Sequence, residues 1–245
     1  MRLKVEVLLA AAVCAVVTVG AYATTPSWSY EHPKVLKGEF QIKSACMMPA
    51  EAKLSRLGMK GKEGMSKESD DWTTTLANLV EAHLKTAGVQ LLPATDAGAN
   101  AASDDEIRQV ILQIEQKYGD IAGKLNKKPK DIAKARFTLG DEVALLPCAA
   151  KSDVLVFVEG EGKVLTGGKK SMGFLVGGPN SASNATLILT MADAKTGEII
   201  GFARLSNAES FGTKFVDQSE QTFGKALDKQ FNKMRIGLYL DKKKH

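Results

Sequence analysis

The residues that could do chemistry are few and scattered. Gly162-Lys163-Val164-Leu165-Thr166-Gly167-Gly168, followed by Lys169-Lys170-Ser171, approaches a phosphate-cradling loop. In such a loop, backbone N–H groups and a lysine hold phosphates at the start of a helix. The spacing fails at Gly168, where that motif needs lysine, and no helical pattern follows. The stretch reads better as a glycine-rich connection between strands, with Phe174 and Leu175 available to touch a partner or a membrane surface.

The histidines are His32, His83 and His245, and no two stand at metal-ligand spacing. His83, beside Leu84, reads as a residue at the edge of a core. No G-x-S-x-G elbow is present, which argues against hydrolases of that type and leaves a spatially assembled triad open. Asp70-Asp71 and Asp104-Asp105 fall at helix starts, where negative charge meets the helix dipole favourably. That role explains them without glycosidase-type carboxylate work. Trp28, Tyr30 and Trp72 could form a sugar-stacking set, but packing is the simpler reading. Nothing in the sequence points to a cofactor, a metal or a catalytic residue.

The amino terminus reads as an address. Arg2 and Lys4 precede an apolar run from Val7 to Val19, and Ala21-Tyr22-Ala23 forms an A-x-A site. This is the plan of a bacterial secretory signal, cut after Ala23. The run is shorter than the roughly 20 apolar residues of a spanning helix. Val13 before Cys14 is a poor lipidation site, so Cys14 reads as part of the apolar run rather than as a lipid anchor. The expected location is the periplasm or cell envelope.

Export bears on the two remaining cysteines, Cys46 and Cys148. An oxidising compartment makes them a disulfide candidate, and two buried thiols are the equal alternative. Arg2 and Lys4 against Glu6 account for +1 of the formal charge of +5, leaving +4. Basic residues cluster at Lys124, Lys127, Lys128, Lys130, Lys134 and Arg136, and again at Lys242 to Lys244. In an exported protein these would face anionic lipid or polysaccharide rather than nucleic acid. A solvated helix face and a frayed tail are the plainer account.

The elements that must position these residues follow from the apolar pattern. Hydrophobic residues make up 44% of the chain and aromatics only 6%, so the core is mainly aliphatic. Residues 24–34 read as an extended lead-in, and Val35, Phe40 and Ile42 as a strand. Glu51 to Ser69, rich in Lys, Gly and Met, reads as a long loop. Asp70 or Asp71 would cap a helix from Trp72 that carries Leu76, Leu79, Val80 and Leu84, with Gly88 past its end. Val89 to Leu92 is a short strand stopped by Pro93.

Ser103-Asp104-Asp105-Glu106 is a capping box ahead of Ile107, Val110, Ile111, Ile114 and Tyr118. A second helical stretch covers Asp120 to Asn126, and Ile132 to Phe137 continues in helical register beyond Pro129. Asp141 to Ala150 is a short helix that Pro147 can kink. Val154 to Val158, five apolar residues in a row, is a strand buried on both faces. Seven glycines between Gly160 and Gly178 follow. Thr186 to Met191 and Glu198 to Leu205 form a hairpin in which Gly197 supplies a positive φ. Asp217 to Met234 is an amphipathic helix, and Ile236, Leu238 and Leu240 continue as an extended tail.

These elements make a single α/β domain, tending to α+β, over residues 35–240. It has one mixed sheet packed with helices in the order β-α-β-α-α-β-β-β-α, a glycine-rich loop at 160–183 and a basic tail at 241–245. Two segments stand out: Ser152-Asp153 before the Val154 strand, ending in Glu159-Gly160, and Ala185 to Met191 followed by Asp193-Ala194-Lys195-Thr196-Gly197-Glu198-Ile199-Ile200. The pattern resembles exported bacterial domains of the anticodon-binding-domain-like α/β fold over roughly residues 70–235. Relatives of that type include the TolB amino-terminal domain, the curli-secretion lipoproteins and the outer-membrane activators of penicillin-binding proteins.

The resemblance implies an envelope protein that works by binding other proteins, and it carries no catalytic residue onto this chain. Met172 to Val176 is too short for the strands of about 9–11 residues that an outer-membrane pore needs. The expected function is therefore a non-enzymatic envelope domain with an accessory or assembly role, contacting an envelope protein through Phe174 and Leu175 and through the lead-in at residues 26–33. A periplasmic enzyme for a polysaccharide or anionic substrate is the rival reading, and a self-assembling subunit the third.

Overall fold

The computed structural model describes residues 27–58, 61–94, 104–127, 137–165, 184–207 and 218–236. The apolar run at Val154 opens the central strand. β1 (Trp28–Glu31), β2 (Ser44–Met47), β3 (Glu51–Gly58), β4 (Gly61–Gly64), β5 (Gln90–Pro93), β6 (Val154–Leu165), β7 (Asn184–Asp193) and β8 (Ile199–Asn207) form one mixed sheet of eight strands. β6 is long enough to hold two partners end to end along one side. β2 runs parallel to its first residues, Val154 to Val156, and β3 runs parallel to Glu159 to Leu165. On its other side β7 is antiparallel, from Asp193 opposite Val154 to Asn184 opposite Lys163. β8 and then β1 continue antiparallel outward, while β5 lies outside β2 and β4 outside β3.

Period-two alternation explains why β6 is apolar without a break. Val154, Val156 and Val158 enter one hydrophobic cluster, and Leu155 and Phe157 enter another on the opposite face. The first cluster is closed by α2 (Ser66–Thr86) and by the helix Ser219–Lys233 near the end of the described chain. The second is closed by α3 (Asp104–Lys127) and by two 3-10 turns, Asp141–Leu145 and Ala149–Lys151. Among the described residues there are four α-helices; the first, α1 (Pro33–Lys37), is short, and Ser219–Lys233 is α4.

Each long helix buries one stripe. In α2 the stripe is Trp72, Leu76, Leu79, Val80 and Leu84, and in α3 it includes Ile107, Ile111, Ile114, Tyr118 and Leu125. Trp72 donates its indole N–H to Ser219 Oγ at 3.0 Å, tying α2 to α4. Gly160 lets α2 settle on the sheet. A Cβ there would lie 2.5 Å from Leu76 Cδ1, 2.8 Å from Ala52 Cβ and 2.9 Å from Trp72 Cζ3.

The mixed α/β sheet matches the sequence reading, and several elements differ. Val35 lies in α1, not in a strand, because Pro33 suits a first helical position, His32 Nδ1 accepts the Lys34 N–H, and Gly38 at φ 76° closes the turn. Trp28 to Glu31 of the lead-in is a sheet strand. Within Glu51 to Ser69, expected as a loop, the described residues form β3, β4 and the first turn of α2. The strand pattern there is faint because its buried residues are mainly Ala52 and Leu54, facing a glycine on β6. α2 starts at Ser66, so Asp70 and Asp71 lie inside it rather than at its cap. The two helical stretches expected up to Asn126 are one helix, α3, and its expected cap Ser103 lies outside the described residues. Pro147 separates two 3-10 turns where one kinked helix was expected, and Phe137 is not helical.

Candidate functional site

The two motif aspartates build the sheet. Asp153 Oδ2 accepts the N–H groups of Lys43 and Ser44 at 2.8 and 2.9 Å and the Ser44 hydroxyl at 3.0 Å. It therefore sets the start of β2 beside the start of β6. Asp193 Oδ1 accepts the N–H groups of Lys195 and Thr196, and Gly197 at φ 67° completes the hairpin turn as expected.

His32 and His83 are also structural and lie apart, and His245 lies outside the described residues. His32 caps α1 and approaches Glu198 at 3.5 Å. His83 bridges α2 to α4, 2.9 Å from Asp228 Oδ1 and 3.4 Å from Glu220 Oε1. Among the described residues no group of His, Cys, Asp and Glu is arranged to hold a metal. Trp28 stacks on Phe202 at 4.5 Å and, with Tyr30, packs against the α3 side, whereas Trp72 is fully buried on the α2 side. The three aromatics therefore cannot form one sugar-stacking platform.

Cys46 and Cys148 are joined in a disulfide, with Cα atoms 5.6 Å apart. It links β2 to the segment between the 3-10 turns, inside the second cluster.

Sequence reasoning missed a polar network where α3 meets the sheet. The Tyr118 hydroxyl donates to Glu159 Oε2 at 3.1 Å and lies 2.9 Å from Thr190 Oγ1, while its ring stacks on Phe157 at 4.2 Å. Burial raises the Glu159 carboxyl above its ordinary range; the Tyr118 hydrogen bond works against that rise, and nearby Glu51 and Glu161 add to it. Burial, then the charge of Glu51, also raises Glu115 on α3. The only advance signal was an acidic residue, Glu159, directly after five apolar ones.

Beyond this network, at the end of the sheet where β3, β4, the end of β6 and the start of β7 lie, is a recess of ≈ 530 Å³. Its lining includes Lys53, Lys62, Lys163, Arg204, Glu161 and Asn184. The cations come from four strands. Pairing register sets Lys163 opposite Ser55, Glu161 opposite Lys53 and Lys62 opposite Leu57, so alternation brings Lys53, Lys62, Glu161 and Lys163 to one face. Lys53 is 2.8 Å from Glu51, and Arg204 Nη2 is 3.8 Å from Glu161. Of the candidate phosphate loop, Gly162 to Leu165 is strand and Thr166 to Ser171 lies outside the described residues, so Lys163 lines the recess from β6. Ala23, Phe174, Leu175 and the Lys242 to Lys244 tail lie outside the described residues.

No family model and no curated protein matches the chain. The PelC dodecamer of Paraburkholderia phytofirmans aligns at a TM-score of 0.38 and 7% identity, covering 83% of this chain and 96% of that one. A point variant of the same dodecamer aligns at 0.37 and 7%, over 85% and 98%. Lipoprotein GNA1162 of Neisseria meningitidis aligns at 0.30 and 10%, over 76% and 96%. Similarity at this level bears on neither the activity nor the partners of this chain. Among the described residues, no helix is long and apolar enough to cross a membrane.

Proposed function

We propose that this chain is an exported, non-enzymatic α/β domain that binds another cell-envelope component in an accessory or assembly role. The observation that carries the reading is the recess at one end of the sheet, which Lys163 and Asn184, paired across β6 and β7, both line. Phe174 and Leu175, the contact residues the sequence suggests, belong to the glycine-rich segment that lies outside the described residues. His32 and His83, weighed first for chemistry, are engaged in a helix cap and a helix bridge instead. The Cys46–Cys148 disulfide suits an exported protein.

The test is crosslinking in the native envelope followed by capture of the tagged chain, beside a Phe174→Ser/Leu175→Ser variant. A partner recovered with the wild type and lost with the variant, at equal protein levels, supports the reading. Equal recovery with both removes the contact from those residues, and recovery of no envelope component with the wild type removes the binding role.

A further inference from the structure

We infer that the recess is a binding site for an oxyanion, a phosphate or a carboxylate, carried on a molecule of roughly monosaccharide to disaccharide size. The inference deepens the reading above, since it rests on the recess as a binding surface, and it names the chemistry recognised there.

Charge decides the sign of the ligand. Four cations, Lys53, Lys62, Lys163 and Arg204, line the recess against one lining carboxylate, Glu161. Glu51 offsets Lys53 at 2.8 Å, and Glu161 offsets Arg204 at 3.8 Å. Lys62 and Lys163 make no ion pair among the described residues, so among those residues the lining carries more positive than negative charge. Glu63, the next residue on β4, points to the opposite face by strand alternation and does not offset Lys62 there. A recess with an excess of one sign of charge concentrates counter-ions of the other.

Geometry decides the kind of anion. The positive groups stand on paired strands and not on a loose tail, so their backbone attachment points are fixed before a ligand arrives. Arg204 is 9% exposed, keeps its charge at any physiological pH, and is held beside Glu161. Already engaged with Glu161, it adds a fixed positive charge to the recess wall. Asn184 adds an amide donor at the rim. Its volume of ≈ 530 Å³ falls within the range of small-ligand sites. That leaves room for a sugar ring beside the anion, and the single concave shape does not suit an extended polyanion.

The experiment is calorimetric titration of the purified protein with four probes: inorganic phosphate, glucose 1-phosphate, glucuronate and glucose. The expected result is saturable binding of at least one anion, none of glucose, and weakening as NaCl rises from about 0.05 to 0.5 M. Glucose 1-phosphate against glucuronate separates a phosphorylated from a carboxylated ligand. A Lys62→Gln/Lys163→Gln variant should lose about tenfold or more in affinity with its melting temperature unchanged, while Lys124→Gln, on exposed α3 surface, should bind as the wild type. The inference is overturned by no saturable anion binding, by glucose binding equally well, or by unchanged affinity in the double lysine variant. Partner capture through Phe174 and Leu175 is read separately. Capture without anion binding sinks only this inference, and anion binding without capture sinks only the partner reading.

Discussion

The Tyr118 hydroxyl lies 3.1 Å from Glu159 Oε2 and 2.9 Å from Thr190 Oγ1, so one side chain of α3 satisfies polar groups on two adjacent strands. Tyr118→Phe keeps the ring on Phe157 and removes that shared partner. The change should cost about 1–3 kcal/mol near neutral pH, the cost of leaving buried polar groups unmatched. Urea denaturation of the two proteins measures it, and a difference within error would mean that water replaces the hydroxyl.

Glu159 makes the same network sensitive to pH. Its carboxyl titrates above the ordinary glutamate range in the folded state, chiefly through burial. Below the ordinary range the group is protonated in both folded and unfolded chains, and its contribution is fully present. As pH rises toward the raised folded value, the unfolded chain ionises first and that contribution is lost. Glu159→Gln stays neutral and still accepts from Tyr118. Its stability relative to the wild type should therefore rise between about pH 4 and pH 8. Melting curves across that range test this, and a difference constant with pH would show that Glu159 titrates normally.

Gly160 tests how tightly α2 sits on the sheet. With Leu76, Ala52 and Trp72 all within 3 Å of a Cβ at this position, Gly160→Ala must displace side chains of α2 or β3. Overpacking of this kind costs about 1–3 kcal/mol, seen as a lower melting temperature. A neutral outcome would mean that α2 slides without loss.

That glycine also shows where the sequence was hard to read. Gly160 and Gly162 look like the opening of a loop, yet they are buried strand positions, and Gly160 faces α2. The central strand was legible because five consecutive apolar residues leave little choice, and the β7–β8 hairpin because Asp193 and Gly197 dictate its turn. β3 and β4 were not, since their buried side chains are small and their exposed ones are mostly lysine and glutamate, the composition of a loop. The recess was less legible still. Lys53, Lys62, Lys163 and Arg204 span 151 positions of the chain, and only strand register brings them to one place.

Asp153 gives the resemblance motif a measurable structural role. Asp153→Ala removes the acceptor of three hydrogen bonds at the start of β2, in a partly buried position. The loss should be about 1–3 kcal/mol. Asp193→Ala, in an exposed turn, should cost less, about 0.5–1.5 kcal/mol. Matched denaturation curves rank the two, and an equal or reversed order would place the motif's importance in the hairpin instead.

The disulfide closes a span of 102 positions between Cys46 and Cys148. Its main effect should be on the unfolded chain, where the link removes loop entropy. Both sulfurs sit in the second cluster, so Cys46→Ala/Cys148→Ala also leaves a small void. For a loop of about 100 residues the entropic part reaches about 4–5 kcal/mol in the simplest treatment. The wild type with dithiothreitol should move toward the double variant in a denaturant titration, while the variant itself should not respond to reductant. If dithiothreitol leaves the wild-type midpoint where it was, the bond either resists reduction or is absent. Thiol alkylation after denaturation separates those cases, since only free cysteines add mass.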